Sequence, residues 1–436
     1  MMRHFSQVAS KLRYGSIKFD FKNLKEILPY HIQNIKNRSA NANAQRTVDL
    51  WELYKTQLHD LEMLRKKRNL HSEKKPLSED EKAEHKKLAR VHKQEVATQE
   101  ANLEKLENEL MEEALKIPNL THPDVPIGDQ PHQLALHGKI PKFDFKIKDH
   151  LELGALHNLF DFDSAAKITN SKFVYLKNEA ALIELGLINW AMQNVVKKGF
   201  TPITTPDICK QEIASGCGFQ PRDPSGQMYN LADNKLCLIG TAEISIAGMF
   251  AETVINADKL PMKYAGFSHC FRMEAGRGQV SKGLYRLHQF SKVEMFAFTT
   301  PEESDKTHEE MLSIEIELLN SLKLPFRVLD MPSTDLGASA YRKYDIEIWM
   351  PSREDWGEVT STSNCRDYQA LRLNSFYLDK SGEKKHVHTV NGTACAVPRV
   401  LLGLLEHGQK KDGTIELPEC LHKYVGFSHI SPLNKA

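Results

Sequence analysis

Residues 271–296 constrain the fold of this chain more than any other stretch. Phe271-Arg272-Met273-Glu274 runs into a Gly-rich loop, and Gly283-Leu284-Tyr285-Arg286-Leu287-His288-Gln289-Phe290-Ser291-Lys292-Val293-Glu294-Met295-Phe296 follows at once. The two halves read as a β-hairpin that carries an arginine able to grip a phosphate. Far downstream, Asn391-Gly392-Thr393-Ala394-Cys395-Ala396-Val397-Pro398-Arg399 places a second arginine just inside an apolar helix. Two fixed guanidiniums with acidic residues between them suit a nucleoside triphosphate and its metal, because arginine clamps phosphate oxygens bidentately while carboxylates hold the ion. The sequence has no GxGxxG and no Walker lysine loop, which argues against Rossmann and P-loop nucleotide sites. Runs such as Phe326-Arg327-Val328-Leu329-Asp330 and Tyr344-Asp345-Ile346-Glu347-Ile348-Trp349-Met350 read as further strands. An antiparallel sheet flanked by helices is the remaining choice.

At 436 residues and 41% apolar content, the chain is long enough for two or three domains. In the first of them, Trp51, Tyr54, Leu58 and Leu61 recur at helical spacing. Ser78 and Glu81 then form a capping box that opens a second helix, with a stripe of Leu88, Val91, Leu103, Leu106 and Leu110. Neither stripe can be buried alone, so the pair predicts an antiparallel coiled-coil hairpin over residues 20–117. The net charge of +1 says nothing about nucleic acid, so RNA binding must rest on local charge. Between Arg65 and Lys93 there are eleven Lys or Arg against five Asp or Glu. A basic tip on a projecting arm suits an RNA backbone, and Arg65, Lys66, Lys67 and Arg68 are its candidates. Pro118, Pro123 and Pro126 stop the helix and mark residues 118–135 as a linker to a domain over 136–436.

Residues 1–19 carry Arg3, Lys11, Arg13 and Lys18 with Ser6, Ser10 and Ser16, and no acidic residue precedes Asp20. That composition is expected of a mitochondrial transit peptide. No run of eighteen apolar residues occurs, so no membrane insertion is expected. The seven cysteines are scattered, with no two separated by just two residues, which fits reduced thiols and gives neither a disulfide framework nor a zinc site.

Thr241-Ala242-Glu243, then the 271–296 hairpin, then Gly357-Glu358-Val359-Thr360-Ser361-Thr362-Ser363-Asn364, then 391–399, stand in a fixed order. In this order they resemble the class II aminoacyl-tRNA synthetases, and within them the seryl-tRNA synthetases of the mitochondrial type. The resemblance covers roughly Asp20 to Ile430. It implies an α+β fold, with a class II antiparallel catalytic sheet flanked by helices and an N-terminal helical arm that holds the tRNA. It also implies a homodimer, with Lys198 to Asp207 as the interface motif and Pro206 at the interface. The activity implied is a serine–tRNA ligase of the mitochondrial matrix, acting on ATP, L-serine and tRNA(Ser).

Carried onto this chain, the resemblance makes Arg272 the bridge between the serine carboxylate and the ATP α-phosphate. Glu274 would contact adenine and Phe290 would stack on it. Thr241, Glu243, Glu294, Asn391 and Thr393 would form the serine pocket, with Glu243 on the ammonium and Glu294 accepting from the hydroxyl. Arg399 would take the γ-phosphate, while Glu358 and Ser361 would ligate Mg²⁺; Glu347 is a further acidic candidate. No general base is required, so His288 is expected to order the pocket rather than move a proton. Val280, Ser281 and Lys282 depart from the acidic residue, proline and arginine usual in that loop. A synthetase-like paralogue that binds RNA or a partner chain without turnover, and another class II specificity, are the alternatives.

Overall fold

The computed structural model describes residues 17–73, 78–219, 228–232, 235–273 and 282–433. The chain divides into two compact units at the Pro118–Asn119 junction. In the first unit, short helices α1 (Phe21–Glu26) and α2 (Leu28–Asn37) precede two long ones, α3 (Ala44–Glu73) and α4 (Glu79–Lys116). The Ser78 hydroxyl accepts from the Glu81 amide and the Glu81 carboxylate accepts from the Ser78 amide, so the expected capping box opens α4. Leu61, Val96 and Leu103 are buried between the two long helices, while Leu24, Ile35, Val48 and Ile117 pack the base. Leu88 and Val91, read from the sequence as part of the stripe, are 41% and 44% exposed. Histidines replace them at that end. His71 and His85 stack with centroids 4.1 Å apart, and His92 meets His71 edge-on at 5.1 Å. An apolar-only template cannot register aromatic imidazoles as seam residues.

The second unit is built on eight strands: β1 (His132–His137), β2 (Thr201–Thr204), β3 (Met262–Phe271), β4 (Gln289–Thr299), β5 (Phe326–Asp330), β6 (Arg342–Met350), β7 (Asp355–Arg366) and β8 (His388–Ala396). They lie in the order β1-β5-β6-β7-β8-β4-β3-β2. Every neighbouring pair is antiparallel except β2 on β3, so the sheet expected to be antiparallel is mixed at one edge. The long crossover between β2 and β3 is what permits that parallel pairing. The segment expected as a linker, 118–135, lies against this unit: Asn119 donates its side-chain amide to the carbonyls of Ser339 and Cys365, and β1 pairs with β5.

Alternation along β4 decides where a site can form. Val293, Met295 and Ala297 enter the main core with Ile183, Leu187 and Trp190 of α5 (Asn178–Val196). Met311 and Leu318 of α7 (Ser304–Ser321) and Leu401 and Leu405 of α9 (Val397–Gly408) complete that layer. On the opposite face, Phe296 and Phe298 pack in a second cluster with Ile244 and Ile246 of α6 (Ala242–Met249) and Ala370 and Leu373 of α8 (Tyr368–Leu373). By the two-residue period, Phe290, Lys292 and Glu294 share that second face beyond the cover of α6 and α8. They border a cavity.

Candidate active site

The cavity, about 550 Å³, opens over the middle strands of the sheet and brings together residues from all four sequence motifs. Its floor begins with α6. Gly266 on β3 lets that helix lie close, since a Cβ there would sit 2.9 Å from Ile246 Cδ1 and 3.1 Å from Ala242 Cβ. Thr241 caps α6, its hydroxyl accepting from the Glu243 amide at 3.2 Å and donating to Glu294 Oε2 at 3.2 Å. Lys292 forms a buried ion pair with Glu294. Glu243 accepts from the side-chain amides of Gln369 at 2.5 Å and Asn391 at 3.2 Å. Burial first, and the charge of Glu294 second, push the Glu243 carboxyl up to about 7.

Two β-bulges set which side chains join this floor. On β7, Glu358 opposes Glu347 and Thr360 opposes Ile346, leaving Val359 unpaired. On β8, Thr393 opposes Glu294 and Cys395 opposes Val293, leaving Ala394 unpaired. Three positions apart on a regular strand, Glu358 and Ser361 would face opposite ways; the extra residue returns them to one face. Both line the cavity, as do Asn391 and Thr393. Lys343 lines it too, and pairs with buried Asp345 at 3.1 Å, directly opposite Ser361.

The two arginines converge on the same cavity. Arg272 donates from Nε to the Gly240 carbonyl at 3.2 Å, and its guanidinium lies 5.4 Å from the Phe290 ring centroid. Arg399 donates to the Glu358 backbone carbonyl at 2.9 Å, pairs with Glu358 Oε2 at 3.2 Å, and rests 4.7 Å from the Tyr285 ring centroid. Loss of solvent pushes the Glu358 carboxyl up, but Arg399, Lys343 and Arg272 outweigh it and hold the group below the ordinary carboxylate range. A cavity lined by two guanidiniums and by the carboxylates of Glu243, Glu294 and Glu358 can hold a polyanion beside a small zwitterion.

His288 buttresses the first arginine. Its Nδ1 is 2.8 Å from the Arg272 carbonyl and 2.9 Å from the Tyr229 hydroxyl, and its carbonyl accepts from the Arg272 amide at 3.0 Å. Glu347 is spent on Arg327 at 2.6 Å and does not line the cavity. Glu274, Val280 and Ser281 lie outside the described residues, whereas Lys282 stands 3.7 Å from Asp149. Sequence reasoning missed Lys292, Lys343, Asp345 and Gln369. Lys292 sits inside a quoted motif and its charge was the available signal; Gln369 left none. In the other unit, Arg65 donates to Glu100 at 2.7 Å, Arg68 is bonded to the Asn69 side chain, and Lys66 and Lys67 are exposed.

Comparison with known proteins gives a consistent picture. A family profile described as the tRNA synthetase class II core domain (G, H, P, S and T) matches residues 229–408. A serine–tRNA ligase of Treponema denticola is 46% identical over 419 residues, covering 94% of this chain and 99% of that protein. One from Rubrobacter xylanophilus is 44% identical, covering 95% and 100%. Among solved structures, seryl-tRNA synthetase from Pyrococcus horikoshii complexed with ATP has a TM-score of 0.81 at 32% identity, covering 95% of this chain and all of that one. The cytoplasmic serine–tRNA ligase of Naegleria fowleri in complex with AMP has a TM-score of 0.77 at 26% identity, covering 96% and 99%.

Proposed function

The chain belongs to the serine–tRNA ligase family of class II aminoacyl-tRNA synthetases, and we propose that it activates L-serine with ATP and charges mitochondrial tRNA(Ser) as a homodimer. The observation that carries the activation step is the convergence of Arg272, Arg399, Glu243 and Glu294 on one cavity. In this reading the serine ammonium is held by Glu243 and its hydroxyl donates to Glu294, with Thr241, Asn391 and Thr393 closing the pocket. A buried acceptor for that hydroxyl disfavours alanine, which brings no donor to the Glu294 carboxylate and leaves part of its accepting capacity unmet. Arg272 orients the serine carboxylate against the α-phosphorus. The carboxylate oxygen attacks, the bond to the bridging oxygen breaks, and pyrophosphate leaves with seryl-adenylate behind. The terminal hydroxyl of the tRNA then attacks the adenylate carbonyl, the acyl–phosphate C–O bond breaks, and AMP leaves with its phosphate taking the hydroxyl proton.

Positioning and charge neutralisation supply the rate, and no protein base is needed. Phe290 offers a face to adenine, and Arg399 exchanges its Glu358 contact for the γ-phosphate. The donor set fits Mg²⁺, because Glu358 and Ser361 present hard oxygens on one face and this ion takes one or two protein ligands with the rest from phosphates and water. When bound, the ion neutralises charge on the triphosphate. The basic, acid-free composition of residues 1–19 supports the mitochondrial address, and Lys66 and Lys67 support a tRNA-binding arm. Nothing in the site favours a paralogue without turnover. Serine-dependent exchange of pyrophosphate into ATP tests the reading. No exchange with serine, or exchange driven better by threonine or alanine, overturns it.

A further inference from the structure

Outside the cavity, two cysteines face each other across a short antiparallel ladder. Strands Ile208–Lys210 and Leu236–Leu238 pair with Cys209 directly opposite Cys237, and the two sulfurs are 3.6 Å apart. Gln211 donates to the Lys235 carbonyl at 2.9 Å and Ile239 to the Asp207 carbonyl at 2.9 Å. By alternation, Cys209 and Cys237 therefore occupy a hydrogen-bonded position, where opposed Cα atoms lie about 5.5 Å apart. A disulfide spans Cα separations of about 4.4–6.8 Å. Opposed Cβ atoms are about 4.5–5.5 Å apart, somewhat wider than a bridge prefers, so closure strains the ladder and leaves a bond that reductants can reopen.

We propose that Cys209 and Cys237 are a redox-active dithiol, oxidised to an intramolecular disulfide by a hydroperoxide and reopened by thiols. Cys237 is buried and Cys209 half-buried. Cys209 is therefore the sulfur that a hydroperoxide reaches, with Cys237 directly behind it. The Cys209 thiol releases its proton and the thiolate attacks one peroxide oxygen; the O–O bond breaks and the departing hydroxide takes a proton to become water. The Cys237 sulfur then attacks the Cys209 sulfenic sulfur, the S–S bond forms, and the S–OH oxygen leaves as a second water with the Cys237 proton. Two thiols lose two electrons, and hydrogen peroxide gains them.

The bridge would tie down the wall of the cavity. Between the two cysteines lie Phe219, which lines it, and Tyr229, which touches His288. Just beyond Cys237 come Gly240, which holds Arg272, and Thr241, which holds Glu294. Pulling this strand disturbs the amino-acid pocket more than the phosphate end, so the effect belongs in the serine KM.

Hydrogen peroxide titration of the full-length chain, followed by differential alkylation and peptide mass spectrometry, tests the proposal. We expect a Cys209–Cys237 linked peptide that dithiothreitol removes. Because displacements near an ångström are costly in such sites, the linked chain should show a serine KM about tenfold higher in pyrophosphate exchange. Cys209→Ser, and independently Cys237→Ala, should be insensitive to peroxide. No linked peptide at peroxide levels that oxidise the half-buried Cys420 overturns the site. An unchanged KM in the linked chain, or the same rise in either variant, overturns its effect on the pocket. The peptide is read without any activity, so its absence is separable from failure of the serine–tRNA ligase reading, on which the KM arm rests.

Discussion

At the scale of single residues, the two floor carboxylates differ in kind. Glu294 is pinned by Lys292 and Thr241, whereas Glu243 accepts from amides, and burial with the charge of Glu294 outweighs Lys292 and Arg272 and pushes it up to about 7. A serine ammonium requires the ionised form of Glu243. Below neutrality the free site is protonated and binding must expel that proton, so the serine KM should rise as pH falls, by about tenfold per unit, and level off above pH 7. Initial-rate exchange measured across neutral pH checks this. Glu243→Gln should abolish the slope and raise KM by about ten- to hundredfold, from the loss of roughly 1.5–3 kcal/mol for a charged hydrogen bond. An unaltered pH profile in that variant would assign the titration elsewhere. Arg272, Glu294, Glu358 and Arg399 were legible because each sits in a short contiguous motif whose chemistry is written locally. Asp345 and Gln369 were not, because what they touch, Lys343 and Ser361 in one case and Glu243 in the other, is settled by strand register and by the packing of α8.

At the scale of elements, the capping box of α4 could be read from four residues, and the seam of the arm at Leu58, Leu61, Leu103, Leu106 and Leu110, but not at its other end, where His71, His85 and His92 fill places the apolar pattern gave to Leu88 and Val91. The basic cluster also divides. Arg65 is engaged with Glu100, while Lys66 and Lys67 face solvent. Reversing the charge at Lys66 and Lys67 should therefore weaken tRNA binding by about tenfold and reduce the salt slope by roughly two, one per phosphate contact, with pyrophosphate exchange unaffected. Equal tRNA affinity at low and high salt would remove the arm from RNA binding. In the second unit, the close approach of α6 to β3 rests on Gly266. Gly266→Ala should cost about 1–3 kcal/mol by overpacking and displace Glu243 with the helix, lowering the melting temperature and raising the serine KM together. A variant that melts lower with normal KM would separate the packing from the site.

At the scale of the whole molecule, assembly should be visible on the surface of α5, where Leu182 is 49% and Leu185 65% exposed. Apolar side chains of that size on a helix next to the expected interface motif favour a second copy as cover. Light scattering should give twice the chain mass, and Leu185→Glu should halve it; an unaltered mass would place the interface elsewhere. The order of the four motifs announced the second unit as a whole, yet nothing in their spelling announced the extra residues at Val359 and Ala394 that aim them. Those two residues behave as washers in a threaded joint. Side chains there can be exchanged for others of like size, but removing either one would turn its neighbours half a turn out of phase, driving acids into grease and grease into water. Descendants of this chain should therefore vary in what stands at these places while keeping the tally of positions along both strands.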